Sequence, residues 1–290
     1  MELTIGTIIF IIGLALGSFV NVVIFRTASG KSLAGRSMCL KCKKQIKAYD
    51  NIPVISYFIL RGKCRNCKTK ISWQYPIVEL STGLLMLAFF CLYPSFQEGQ
   101  QWVAGDLILS FTKGGLEEVS GLIPPLTKGG LGGVYAIELI RNLVFVPILI
   151  LLFVYDLRYK LILDRFTLPA IAIALVFNLI LGLSIWSMVF GALAVGGFFL
   201  AQYLISSGKW IGGGDIRLGI LMGVLLGIKL GLAALMISYL IGSIVSVYLI
   251  LSKKASGSSQ VPFGTFLVIG TLIAMLYGKE IVNWYLGLFV

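Results

Sequence analysis

The feature that most constrains this chain is a near-continuous series of apolar stretches long enough to cross a lipid bilayer. A hydrocarbon core of about 30 Å takes about 20 apolar residues, and eight stretches qualify, at roughly 4–25, 77–94, 137–155, 166–183, 185–205, 215–231, 232–251 and 262–285. With 58% hydrophobic and 12% charged residues and a mean hydropathy of +0.96, the 290 residues have too little polar surface to cover a water-soluble globule. The chain therefore reads as an all-α polytopic membrane protein, with about eight transmembrane helices and one small aqueous domain. Glu2 is the only early charge and no basic stretch precedes the first span, which predicts a retained helix rather than a cleaved signal. Histidine is absent. That excludes Ser-His-Asp hydrolysis, Cys-His proteolysis and His-ligated zinc or haem chemistry, leaving carboxylates or a Ser/Lys arrangement for hydrolytic work.

Basic residues set the expected orientation. Twelve of the 24 Lys and Arg lie between Arg26 and Lys70, against Asp50 alone, and the positive-inside rule puts that loop in the cytoplasm. Alternating spans then place 156–165, 206–217 and 252–261 on the same side. This gathers 19 of the 24 cations there and leaves both termini extracytoplasmic. A surplus of this kind beside a span reads as topology and contact with the lipid bilayer, and no nucleic acid is expected as a partner. The domains expected are 1–26, a first transmembrane helix; 27–76, a cytoplasmic metal-binding domain; 77–95, a second helix; 96–135, a flexible extracytoplasmic insertion; and 136–290, a six-helix membrane domain. Within the insertion, Thr112-Lys113-Gly114-Gly115-Leu116 recurs as Thr127-Lys128-Gly129-Gly130-Leu131, too few copies for a repeat architecture. Glu138 and Arg141 fall in the outer turn of the third span, where they are expected to pair and snorkel to the interface.

Four of the five cysteines form Cys39-x-x-Cys42 and Cys64-x-x-Cys67, with 21 residues between the pairs. Two such knuckles in a polar loop offer four thiolates to a tetrahedral zinc, and neighbouring cations ease their deprotonation. Four sulfurs fill the coordination shell, so the metal reads as structural. Redox pairs, disulfides and a nucleic-acid-binding ribbon are the competing readings; the first suits a soluble α/β fold and the second an oxidising compartment. Cys91, alone in the second span, reads as buried packing.

After residue 140 there are only four acids: Asp156, Asp164, Asp215 and Glu280. Asp156 ends the third span and Asp215 opens the sixth behind Gly212-Gly213-Gly214, so both belong at one membrane boundary although 58 residues lie between them. Ionisable groups near lipid are costly and therefore functional candidates. Two adjacent carboxylates share a proton, giving a base to activate water and an acid to protonate a leaving amine. The glycines would let a substrate backbone approach and would offer positive φ. Each aspartate also has a structural reading, Asp156 paired with Arg158 or Lys160 and Asp215 as a helix cap. A proton-relay transporter is a further functional reading, although a relay needs groups nearer the midplane.

These motifs resemble the bacterial type IV prepilin peptidases, membrane aspartic proteases of the Gly-x-Gly-Asp class. The likeness runs through Gly17-Ser18-Phe19-Val20-Asn21 to Arg26 and Asp50-Asn51-Ile52-Pro53-Val54-Ile55-Ser56. It continues with Ile71-Ser72-Trp73-Gln74-Tyr75-Pro76 to Glu79, then Asp156 with Asp164, then Gly212 to Asp215, and ends with Val261-Pro262-Phe263-Gly264-Thr265-Phe266. Leu163 stands where the family has a proline before its acid. The resemblance implies Asp156 and Asp215 as the catalytic pair, with Gly212, Gly214 and Asp164 supporting. It also implies a bacterial plasma-membrane enzyme that cuts the basic leader of prepilins or pseudopilins at the cytoplasmic face. The new amino terminus would then be N-methylated from S-adenosylmethionine. No Gly-rich dinucleotide fingerprint accompanies that second activity.

Overall fold

The computed structural model describes residues 2–92, 131–252 and 261–288. Eight α-helices follow in chain order: α1 (Glu2–Ala28), α2 (Ile55–Ile59), α3 (Gln74–Cys91), α4 (Leu131–Tyr159), α5 (Asp164–Ile180), α6 (Ile185–Ile205), α7 (Gly213–Leu251) and α8 (Phe263–Gly287). Among the described residues there are no strands, only the isolated bridges Met38–Gln45 and Lys63–Lys70. Most of the expected 96–135 insertion, including all but Leu131 of its repeat, lies outside the described residues.

Among the described residues, six helices are long and apolar enough to span a bilayer: α1, α3, α4, α6, α7 and α8. Two facts bring the segments to eight. Helix α5 is an apolar helix of 17 residues, and the 39-residue α7 is two segments joined at Gly227, whose φ of 72° and ψ of −175° break the helix. The chain reverses there. A Cβ on Gly231 would sit 3.6 Å from the Gly223 Cα, whereas eight residues of straight helix would separate them by about 12 Å. The expected boundary near residue 231 thus moves to Gly227, because only glycine reaches that conformation without a Cβ clash.

A break inside a membrane exposes backbone groups that lipid cannot satisfy. Neighbouring helices supply the partners. The Asn178 side chain on α5 donates to the carbonyls of Val224 (2.7 Å) and Leu225 (3.1 Å), while Ser187 Oγ on α6 accepts the Ile228 N–H at 3.5 Å. Arg141 completes the cluster, donating to Asn178 Oδ1 at 2.8 Å and to Asn142 Oδ1. Its pairing with Glu138 forms as expected, at 3.5 Å, but the snorkelling does not occur. Arg141 is buried and turned inward, because amide acceptors on α4 and α5 solvate it better than lipid would.

Small residues let the helices touch. A Cβ on Gly13 would fall 2.7 Å from the Gly83 Cα at the α1–α3 contact, and one on Gly223 would fall 2.3 Å from the Gly191 carbonyl at the α6–α7 contact. Helix α4 is the shared wall of two apolar clusters. Phe145, Leu149 and Leu152 face α5 to α8, while Val146, Ile150, Val154 and Tyr155 face α1 and α3. Asp156 follows directly on this doubly packed stretch.

Candidate functional site at one end of the bundle

Asp156, near the end of α4, is buried. The Thr265 N–H at the start of α8 donates to its Oδ2 at 2.9 Å. Asp215, in the first turn of α7, is half-buried; its Oδ2 accepts the Gly212 N–H at 3.2 Å, and its own N–H bonds back to the Gly212 carbonyl at 3.1 Å. Asp215 therefore does cap its helix, using one of its two oxygens. Arg158, one of the partners considered for Asp156, turns instead to Gln74. The surroundings of the two aspartates share Ile162, in the α4–α5 connection: Asp156 Oδ2 and Ile162 Cδ1 each lie 2.8 Å from the Cβ position of Gly264, and Ile162 Cβ lies 2.7 Å from that of Gly214, the residue before Asp215. Ile162 thus packs under Gly214 and against Gly264.

The glycines differ in what they supply. None of Gly212, Gly213 and Gly214 has a positive φ among the described residues, so the conformational role expected of them is replaced by a steric one. A Cβ on Gly214 would come 2.7 Å from the Ile162 Cβ, whereas one on Gly213 meets nothing within 4 Å and one on Gly212 makes only an ordinary 3.7 Å contact with Asp215. Gly214 is needed for packing, and the exposed Gly212–Gly213 edge leaves room beside Asp215. Gly264 is a tighter case, since a Cβ there would lie 2.8 Å from Asp156 Oδ2. Neither Gly264 nor Thr265 is a site residue on sequence grounds. The signal was present in Val261-Pro262-Phe263-Gly264-Thr265, a proline that starts a helix followed by a small residue.

Polar links tie the same end of the bundle together. Asp164, opening α5, forms an ion pair with Arg217, two positions after Asp215. Arg158 donates to Gln74 Oε1, Gln74 donates to Asn21 Oδ1 at 3.3 Å, and the buried Asn21 donates to the Tyr75 carbonyl at 3.1 Å, which joins α4, α3 and α1. Glu79, buried on α3, accepts the Val54 N–H at 2.7 Å. Val54 has φ 61° and ψ −54°, with the Ile55 N–H 2.6 Å from the Pro53 carbonyl, a strained γ-turn for a β-branched residue. Arg26 donates to the carbonyls of Leu33 and Ala34 at 2.6 Å each and of Gly35 at 2.8 Å, folding the loop back on the end of α1.

The four cysteines are brought together. Cys39, Cys42, Cys64 and Cys67 place their sulfurs within 4.8 Å of one another, with Cys39 Sγ and Cys67 Sγ 3.7 Å apart. Tetrahedral zinc with bonds of about 2.3 Å requires sulfurs about 3.8 Å apart, so the cluster is compatible with that ion. The two knuckles are built alike. The N–H of the first cysteine bonds to the carbonyl five residues on (Cys39 to Lys44, 3.0 Å; Cys64 to Thr69, 2.8 Å), and Lys43 and Lys68 each turn the chain at φ 56°. Thr69 hydroxyl and amide hydrogen bonds hold the Cys67 thiol down at about 6, whereas burial and the neighbouring sulfurs push the Cys42 thiol up to about 11. Arg65 clamps Asp50 between the knuckles and draws its carboxyl below the usual range. Cys91 stands apart from the cluster, and it is exposed rather than buried because it is the last residue of α3.

These features define a polytopic helical membrane protein with two aspartates at one end of its bundle and, sewn to that end, a loop whose four-cysteine cluster could hold a metal ion. The chain belongs to the type IV leader peptidase family. The family model of that description matches residues 143–247, and the model of the bacterial peptidase A24 N-terminal domain matches residues 11–93. Relatives named prepilin leader peptidase/N-methyltransferase include one from Aeromonas hydrophila, 30% identical over 98% of this chain and 94% of that protein. Another, from Bacillus subtilis (strain 168), is 30% identical over 97% of each chain, and one from Stutzerimonas stutzeri is 28% identical over 95% of this chain and 92% of that protein. No solved structure gives a significant match.

Proposed function

We propose that this chain is a membrane aspartic endopeptidase that removes the leader peptide from type IV prepilins or pseudopilins, with Asp156 and Asp215 as the catalytic pair. The observation that carries the reading is their placing around Ile162 at one end of the bundle, across 58 intervening residues, beside the open Gly212–Gly213 edge. A substrate backbone laid along that edge brings its scissile carbonyl to the pair. The ionised carboxylate takes a proton from water and the hydroxyl adds to the carbonyl carbon. The protonated carboxyl hydrogen-bonds the developing oxyanion and, as the C–N bond breaks, a proton passes to the leaving amine. The N–H groups of Thr265 and Gly212 each hold one carboxylate oxygen, so the reactive geometry is built before substrate arrives. Asp164 and Arg217 support the pair by fastening the start of α5 to that of α7.

The membrane domain, 136–290, carries the peptidase. The loop at 27–76 carries a structural zinc held by Cys39, Cys42, Cys64 and Cys67, with no open position for substrate. N-methylation of the new amino terminus, with S-adenosylmethionine supplying the methyl group, rests on the names of the relatives and on the resemblance. Without strands among the described residues there is no Rossmann-type cradle for that donor, so no residue is assigned to it. The arrangement of cations supports a bacterial inner-membrane protein with the site at the cytoplasmic face and both termini outside.

The test is mass spectrometry of the amino terminus of a co-expressed prepilin, which reads cleavage position and added methyl mass together. Asp156→Ala and Asp215→Ala should each abolish leader removal while the protein still inserts in the membrane. Normal processing by either variant refutes the assignment.

A further inference from the structure

Helix α2 has its polarity reversed for a helix in a water-exposed loop. Ser56 is its inward residue, 5% exposed, where its hydroxyl donates to the Tyr49 carbonyl at 2.9 Å and accepts the Ile52 N–H at 3.0 Å. Its apolar residues point outward: Ile55, Phe58 and Ile59 are 55%, 60% and 67% exposed. The patch continues through Tyr57, whose ring lies 5.8 Å from Phe58 and 5.0 Å from Trp73, itself exposed. At its other edge Ile59 shares a shallow cavity with Arg61, Lys63, Arg65 and Lys68. A continuous apolar strip rimmed by cations is the pattern of an element lying in a membrane interface.

The fold fixes the height of this strip. Trp73 is the residue before α3, a membrane span, and Val54, the residue before α2, is hydrogen-bonded to Glu79, more than one turn inside that span. Glu79 lies five residues, about 7.5 Å, into α3, so the start of α2 is fastened beside the first turns of a span rather than out in the aqueous loop. An apolar face held at that depth meets acyl chains. Of the cations beside it, Arg65 is taken up by Asp50, and Arg61, Lys63 and Lys68 complement anionic headgroups; tryptophan is a usual resident of that boundary.

We propose that residues 52–73 form an interfacial anchor that lies in the leaflet at the Asp156–Asp215 end, with Ile55, Phe58, Ile59 and Trp73 among the acyl chains and Arg61, Lys63 and Lys68 on anionic headgroups. The anchor holds the cysteine loop down against the membrane. It is separate from the carboxylate pair and does not depend on the peptidase reading.

The experiment uses the full chain, with a benzophenone amino acid replacing Phe58, purified and reconstituted into vesicles of phosphatidylglycerol and phosphatidylcholine. Irradiation should attach lipid to the probe, seen as a mass increase on the peptide that contains residue 58. The same probe at Ile59 should repeat the result if the first variant folds poorly. Each Lys or Arg near an anionic surface is worth a roughly fivefold ratio, so Lys63→Gln should lower the phosphatidylglycerol-to-phosphatidylcholine ratio of the adducts about fivefold. A covalent dimer in place of lipid adducts would assign the face to a second copy and overturn the proposal. A probe quenched by water at both positions, with no lipid attached, would overturn it equally.

Discussion

Replacing Gly264 by alanine tests how tightly the fold sets Asp156. The new Cβ would stand 2.8 Å from Asp156 Oδ2, 3.1 Å from its Cγ and 2.8 Å from Ile162 Cδ1. Ordinary contacts begin near 3.4 Å, so the carboxylate must retreat by about 0.6 Å. Its one oxygen bonded to Thr265 is the oxygen that moves, and a 2.9 Å bond lengthened by that amount passes out of hydrogen-bonding range. Overpacking of this size costs about 1–3 kcal/mol of stability. An ångström of misplacement at a reacting group costs on the order of 100-fold, so a fall in kcat/KM of roughly 10- to 100-fold is expected. The assay is prepilin cleavage in proteoliposomes, with thermal unfolding and metal content of the same preparation. Metal content should not change, because the cysteine loop does not touch Gly264. Gly197→Ala is the control: a Cβ there meets nothing within 4 Å, so cleavage should be unchanged and the helix slightly stabilised. Full activity in Gly264→Ala with an intact fold would show that Asp156 is not held by this turn, or is not an acting carboxylate.

Three further outcomes are expected. Cys39→Ser with Cys64→Ser should reduce bound metal from about one equivalent to none and expose the loop to limited proteolysis. The metal is read by elemental analysis, and prepilin cleavage should outlast metal loss, since α4, α7 and α8 set the carboxylates. Glu79→Ala should strip the Val54 N–H of its acceptor, at a cost of about 1.5–3 kcal/mol, and speed hydrogen exchange at that amide; Glu79→Gln, which keeps an acceptor oxygen, should restore much of the protection. Asn178→Leu should leave the Val224 and Leu225 carbonyls without their amide donor and remove one of the acceptors of Arg141, which keeps Asn142 and Glu138, lowering stability by about 2–4 kcal/mol in thermal unfolding. A loss below about 1 kcal/mol would mean that other groups take over the break at Gly227.

The membrane class, the number of segments and the two Cys-x-x-Cys knuckles were legible in the residues, because each rests on local chemistry. A span needs only length and apolarity, and a knuckle only two thiols at a set spacing. The expectation that Asp156 and Asp215 lie at one end of the bundle comes from counting alternations, since a chain that must cross a slab returns its span ends to two planes and no others. Three things were decided only by tertiary packing. Arg141 looked ready to snorkel, yet Asn142 and Asn178 outbid the interface by offering acceptors at short range. The three glycines before Asp215 suggested special backbone angles, yet one is required by Ile162 and the other two leave space. Gly264 and Thr265, about a hundred residues from Asp156, became its immediate setting because α8 returns beside α4. Alternating spans dictate which membrane face a residue reaches; which neighbours surround it there depends on how the helices pack side by side, and short-range contacts of a few ångströms leave no periodic trace in the order of the residues.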